Sequence, residues 1–122
     1  MEINEKFVFA TCQVEGVHYW PNAPAEIMIL NQPHRHIFHV KLSVSVSESD
    51  REIEFILLKR WLVIACSRVI AWSVNSPATK SCEMFAQEII EDAEVQYPGR
   101  KYICEVSEDG ENGAIVYGKG TQ

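Results

Sequence analysis

No stretch of this 122-residue chain stays apolar for the roughly 20 residues that a membrane-spanning helix needs, and Met1–Lys6 has none of the apolar core of a signal peptide. Cations are scarce: 11 Lys and Arg against 17 Asp and Glu give a net charge of −6. A nucleic-acid-binding face needs a surplus of Lys and Arg to neutralise phosphates, so the balance argues against one. No CxxC or CxxxC pair occurs among Cys12, Cys66, Cys82 and Cys104, which read as buried free thiols. Neither repeats nor linkers nor low-complexity tracts interrupt residues 1–122, which read as one soluble, cytoplasmic domain of ordinary globular composition, 47% hydrophobic. Histidine is scarce too, yet three of the four lie within six residues, at His34, His36 and His39.

What is present has clear periodicity. Lys6 to about Gln13 holds Phe7, Val8, Phe9 and Cys12 and reads as a strand that Gly16 interrupts. Trp20–Pro33 contains Pro21, Asn22, Pro24 and Pro33 and reads as a loop long enough to be functional. From His34 to Ser47 the even positions (His34, His36, Phe38, Val40, Leu42, Val44, Val46) alternate with mostly polar odd ones. That alternation predicts a strand with one face toward a core. His34 and His36 share the core-side face, and His39 points away.

Ser49-Asp50-Arg51-Glu52 fits a capping box ahead of Ile53, Ile56, Leu57, Trp61, Ile64 and Ala65, which predict a helix to about Ala71. A second helix is expected from about Ser81 to Val95, ended by Pro98-Gly99. Tyr102–Val106 and Ala114–Tyr117 flank the turn-rich Asp109–Gly113 and read as a hairpin. The order β-β-α-α-β-β predicts an α+β fold, a four-stranded antiparallel sheet with two helices on one face.

Two histidines at i and i+2 on a strand can converge on one cation, and His18, across the preceding loop, can supply a third imidazole. Three neutral imidazoles with an open fourth position suit a catalytic metal. The same spacing also fits two hydrogen-bonded residues at a strand start. A cupin uses a similar pair, but its mostly β chain does not fit the long helix that follows here.

Over almost its whole length the chain resembles the 6-pyruvoyl-tetrahydropterin synthase and 6-carboxy-tetrahydropterin synthase family of the tunnelling fold (T-fold). Glu15–Pro21 is similar to that family's FxAAHRLP segment, and Pro33–Leu42 to its LHGHxFxVxV strand. Glu54–Lys59 resembles DFxxLK, and Lys80–Ala86 resembles PTSExxA. Ser107-Glu108 followed by Gly113–Gly118 resembles KETxxxGxxYxG.

The resemblance implies a zinc ion held by His18, His34 and His36, with Glu108 accepting paired N–H groups from the edge of a pterin and Ser81 standing near that ring. It also implies a homo-oligomer, commonly a hexamer, in which subunits join their sheets into a barrel. The family's catalytic thiol position is occupied by Leu30, with Glu26 the nearest loop carboxylate, and Ser67–Asn75 contains no histidine for the family's proton relay. Three functions follow as expectations. One is a zinc-dependent carbon–oxygen lyase eliminating triphosphate from a dihydroneopterin triphosphate-like pterin. Another is a module that captures a pterin or purine-like molecule without turnover, and the third an oligomerising scaffold.

Overall fold

The computed structural model describes residues 1–121. Its elements are β1 (Lys6–His18), β2 (His34–Val46), α1 (Phe55–Val69), α2 (Cys82–Gln96), β3 (Lys101–Glu108) and β4 (Asn112–Lys119). The strands form one antiparallel sheet in the order β1-β2-β3-β4. This is the α+β, ββααββ arrangement expected from the sequence. Among the described residues no helix is long and apolar enough to cross a membrane.

Alternation sets which side of the sheet is covered. Register aligns Cys12 with Val40 and Val40 with Val106, and Ala10 with Leu42 and Leu42 with Cys104. These even-numbered residues therefore share one face, and with Phe38, Val44 and Tyr102 they are buried. Leu58, Leu62 and Cys66 of α1 and Phe85, Ala86, Ile89 and Ala93 of α2 pack onto that face in one cluster. Removing that much apolar surface from water is the main stabilising term.

The first strand is longer than its composition suggests. β1 runs unbroken through Gly16 to His18, each residue from Val14 onward paired with one from Phe38 back to His34. Gly16 is needed here for close approach. A Cβ at this position would stand 2.6 Å from Ile70 Cγ2 and 3.0 Å from Phe38 Cε2, so the residue that reads as a breaker lets the strand pass beneath Ile70.

The helix starts differ in the same instructive way. The Ser49–Glu52 pattern does not cap α1, because Arg51 takes a left-handed φ of 57° and turns the chain before the helix. Glu52 instead accepts from the backbone N–H groups of Ser47 and Glu48, at 2.9 and 2.8 Å, and pairs with Arg100. Glu54 caps α1, accepting from Ile56 N and Leu57 N. α2 begins as expected, with the Ser81 hydroxyl accepting from Met84 N at 3.2 Å. Within the loop between β1 and β2, Ala25–Asn31 forms short 3-10 turns, and Leu30 O accepts from Trp20 N to close its base.

Candidate metal centre

The register that builds the sheet also assembles a polar group at one end of its covered face. His18 ends β1 directly opposite His34, the first residue of β2, and His36 is opposite Gly16. Glu108 ends β3 opposite Phe38. All four are even-numbered and continue the row that elsewhere holds Phe38, Val40 and Leu42. Each offers one ligand atom, and these atoms all lie within 4.8 Å of one another. Ligands at about 2.0–2.1 Å from a tetrahedral metal are about 3.3 Å apart, so small side-chain movements complete a coordination shell.

The floor beneath the group is apolar. His18 packs edge-on against Phe38, ring centroids 5.2 Å apart, and Phe38 meets Phe85 at 5.3 Å. Both phenylalanines are fully buried. His18 is itself buried, while His34, His36 and Glu108 are partly exposed.

The outer ring nitrogens define the chemistry. His18 Nδ1 lies 2.8 Å from Lys80 O, His34 Nδ1 2.9 Å from Gln32 O, and His36 Nδ1 2.7 Å from Asp109 Oδ2. A carbonyl or carboxylate oxygen only accepts, so each Nδ1 must carry the proton and donate. In the neutral ring that leaves every Nε2 as a lone pair aimed away from its support, the arrangement in which outer partners orient metal-binding imidazoles.

His18 Nε2 supplies the fit test. It lies 2.8 Å from Glu108 Oε2, within ion-pair distance, yet the buried nitrogen has no hydrogen-bond partner. In the neutral Nδ1-protonated ring a lone pair faces a carboxylate oxygen here, with Glu108 Oε1 3.6 Å from His36 Nε2. A cation placed between them satisfies all three atoms, and the donor set of three imidazoles and one carboxylate suits a divalent metal. These four residues can hold a metal ion.

Two backbone devices fix the supports. Ala78 pairs with the end of β1 through Tyr19 N to Ala78 O at 3.0 Å and Ala78 N to Val17 O at 3.2 Å, which brings Lys80 O to His18. At the other side, the three-residue turn between β3 and β4 holds Asp109 and Gly110 at φ of 57° and 74°. Asp109 N donates to Ile37 O at 2.8 Å, and Asp109 Oδ1 accepts from Ile37 N at 3.0 Å. The hydrogen bond from His36, then that from Ile37 N, hold the Asp109 carboxyl below its usual range.

A cavity of about 430 Å³ opens beside the group, lined by His18, His34, Glu108, Ser81, Trp20 and Leu30 among others. The structure thus brings together His18, His34, His36 and Glu108, with Ser81 at the cavity wall. Leu30 puts an apolar side chain into that wall, while Glu26 is exposed on the 3-10 turn and outside it. His39 lies on the opposite sheet face, beside Gly110. In Ser67–Asn75 the buried polar residue is Ser73, whose hydroxyl donates to Ile70 O and accepts from Val17 N, a structural use.

Sequence reasoning missed Asp109, which reads as one more turn residue; its only signal is that an acid directly follows Glu108. Lys80 O and Gln32 O, being backbone atoms, leave no side-chain signal at all. No family model matches the chain, and a search of curated proteins finds no match to it.

Proposed function

We propose that the chain is a zinc-dependent protein of the 6-pyruvoyl/6-carboxy-tetrahydropterin synthase type, acting on a dihydroneopterin triphosphate-like pterin by triphosphate elimination. The observation that carries this reading is the set of three histidines whose Nδ1 atoms are all engaged by acceptors, leaving their Nε2 atoms for one ion. His18, His34 and His36 would hold the zinc. Bound there, zinc supplies Lewis-acid polarisation of an oxygen on the substrate side chain.

The protein's own residues do the rest. With the ion held by the three histidines alone, Glu108, at the seam between metal group and cavity, keeps its carboxylate for two parallel N–H bonds from a pterin's amidine-like edge. The Ser81 oxygen is occupied by Met84 N, so its O–H is free to donate to the ligand. Trp20 and Tyr19 line the cavity and offer aromatic surface to a flat ring.

Leu30 favours a second reading. It occupies the cavity wall at the position of the family's thiol, and a missing base costs this type of proton transfer about 10²–10⁴ in rate. Capture of a pterin or purine-like molecule without turnover follows if nothing replaces that base. The two open sheet edges, β1 and β4, with Phe9, Ile115 and Tyr117 exposed beside them, support assembly into a homo-oligomer of the family's hexameric kind.

Two measurements test the proposal. Metal analysis of the purified protein should find about one zinc per chain, lost in His34→Ala; wild-type protein that takes up no zinc would remove both readings. Incubation with dihydroneopterin triphosphate then separates them, since phosphate release marks the lyase and tight binding without release marks the capture module.

A further inference from the structure

All four cysteines are buried, free thiols, and the candidate metal group uses none of them. Two of them nevertheless meet. Cys12 lies on the covered face of β1 and Cys66 on α1, and their sulfurs approach to 3.1 Å. Non-bonded heavy atoms in ordinary contact stand about 3.5–4.0 Å apart, and a disulfide closes to about 2.05 Å. The pair already sits inside contact distance, about 1 Å from a covalent bond.

The surroundings of the two sulfurs differ. Cys66 is 1% exposed, sealed in the core. Cys12 is 8% exposed, on the sheet's open edge strand β1. Lys59 is anchored next to it, its ammonium donating to Thr11 O. The hydrogen bond with Cys66, and then the Lys59 charge, draw the Cys12 thiol below its usual range against the effect of burial. That same hydrogen bond, together with burial, pushes Cys66 up. The less deeply buried sulfur stands beside a lysine charge with the other sealed behind it, the placement that nucleophilic and resolving thiols need.

We propose that Cys12 and Cys66 form an oxidisable dithiol, in which a small hydroperoxide reaching Cys12 at the β1 edge beside Lys59 converts the pair into a disulfide tying β1 to α1. The Cys12 sulfur attacks one peroxide oxygen. The S–O bond forms, the O–O bond breaks, and the departing hydroxide or alkoxide takes up the proton that Cys12 released. The Cys66 sulfur then attacks the Cys12 sulfur. The S–S bond forms, the S–O bond breaks, and hydroxide leaves with the Cys66 proton as water. The two thiols lose two electrons, and the peroxide gains them. A dithiol reductant reverses the change by exchange.

The test uses the reduced 122-residue protein and hydrogen peroxide, read by intact mass, thiol titration after denaturation and a non-reducing peptide map. The expected result is loss of two hydrogen atoms and a fall from four free thiols to two. A peptide linking Cys12 to Cys66 should form at least tenfold faster than any change at Cys82 or Cys104, and dithiothreitol should remove it. In Cys66→Ala, Cys12 should gain oxygen instead; in Cys12→Ser, Cys66 should stay reduced. The inference is overturned if wild-type Cys12 links to Cys104, if it accumulates oxygen without a cross-link, or if four thiols survive a peroxide excess that oxidises free glutathione. The wild-type map decides the matter even if a variant does not fold.

Discussion

Asp109→Asn should weaken metal binding more than its distance from the metal group suggests. Asp109 uses both carboxylate oxygens, Oδ2 accepting from His36 Nδ1 at 2.7 Å and Oδ1 from Ile37 N at 3.0 Å. Asparagine has one acceptor and one donor end, so it cannot serve both. If its oxygen takes Ile37 N–H, its NH₂ faces His36 and requires Nδ1 to accept, which moves the ring proton to Nε2 and removes the ligand lone pair. If its oxygen takes His36 instead, NH₂ faces the Ile37 N–H and two donors oppose each other. The left-handed φ of 57° suits asparagine as well as aspartate, so backbone strain does not confuse the result. Supporting partners of this kind typically contribute 10–100-fold in metal affinity. A competition titration of zinc against a chromophoric chelator at neutral pH should therefore give about a 10–100-fold weaker Kd for the variant. His39→Ala, on the other sheet face, should match the wild type. A Kd for Asp109→Asn within twofold of wild type would refute the tautomer reasoning.

Two further predictions concern the fold. Gly16→Ala places a Cβ 2.6 Å from Ile70 Cγ2 and should lower stability by about 1–3 kcal/mol, as overpacked cores do; an unchanged urea midpoint would show that the β1 crossing has slack. Glu52 is held near a pKa of about 2, below its ordinary 4.5, by the backbone N–H of Glu48, by Arg100 and by the backbone N–H of Ser47. A carboxyl depressed on folding contributes stability that is present above the unfolded value and lost as pH falls through the folded one. Glu52→Gln should therefore melt below wild type at pH 7, and the gap should narrow from about pH 4.5 toward pH 2. A gap that stays constant across that window would exclude the linkage.

The parts of this molecule that were legible in its sequence are those specified by neighbours in the chain. Unbroken alternation over His34–Val46 placed Phe38, Val40, Leu42 and Val44 in the core, put His34 and His36 on their face, and turned His39 away. Ser81 signalled the start of α2 because a cap needs only the N–H groups of the next turn. What failed depended on distant partners. Gly16 looks like a break until Ile70 is seen packed on it. Ser49 and Glu52 have the spacing of a capping box, but Glu52 is drawn to Arg100, 48 positions away. Asp109 resembles any acidic turn residue until Ile37 and His36, more than 70 positions earlier, are brought beside it. The metal group was half legible for the same reason. One strand displays two of its ligands, while pairing with β1 and β3 is needed to see His18 and Glu108 as their neighbours.

The position of that group on the sheet follows from what a core face can tolerate. The apolar row of β2 ends at Phe38, and the next two inward positions are His36 and His34, joined by His18 across the β1 pairing and Glu108 across the β3 pairing. Imidazole and carboxylate on a face covered by Phe38 and Phe85 are removed from most of their water, and a buried polar atom left without a partner costs about 1–3 kcal/mol. The three Nδ1 atoms escape that penalty through Lys80 O, Gln32 O and Asp109. The buried His18 Nε2 does not. A fold under pressure only to be stable would place an apolar residue at position 18, since it already packs against Phe38 and Phe85. A histidine there, with Nδ1 held by Lys80 O and Nε2 turned toward Glu108, leaves a buried nitrogen without a hydrogen-bond partner that a cation would satisfy.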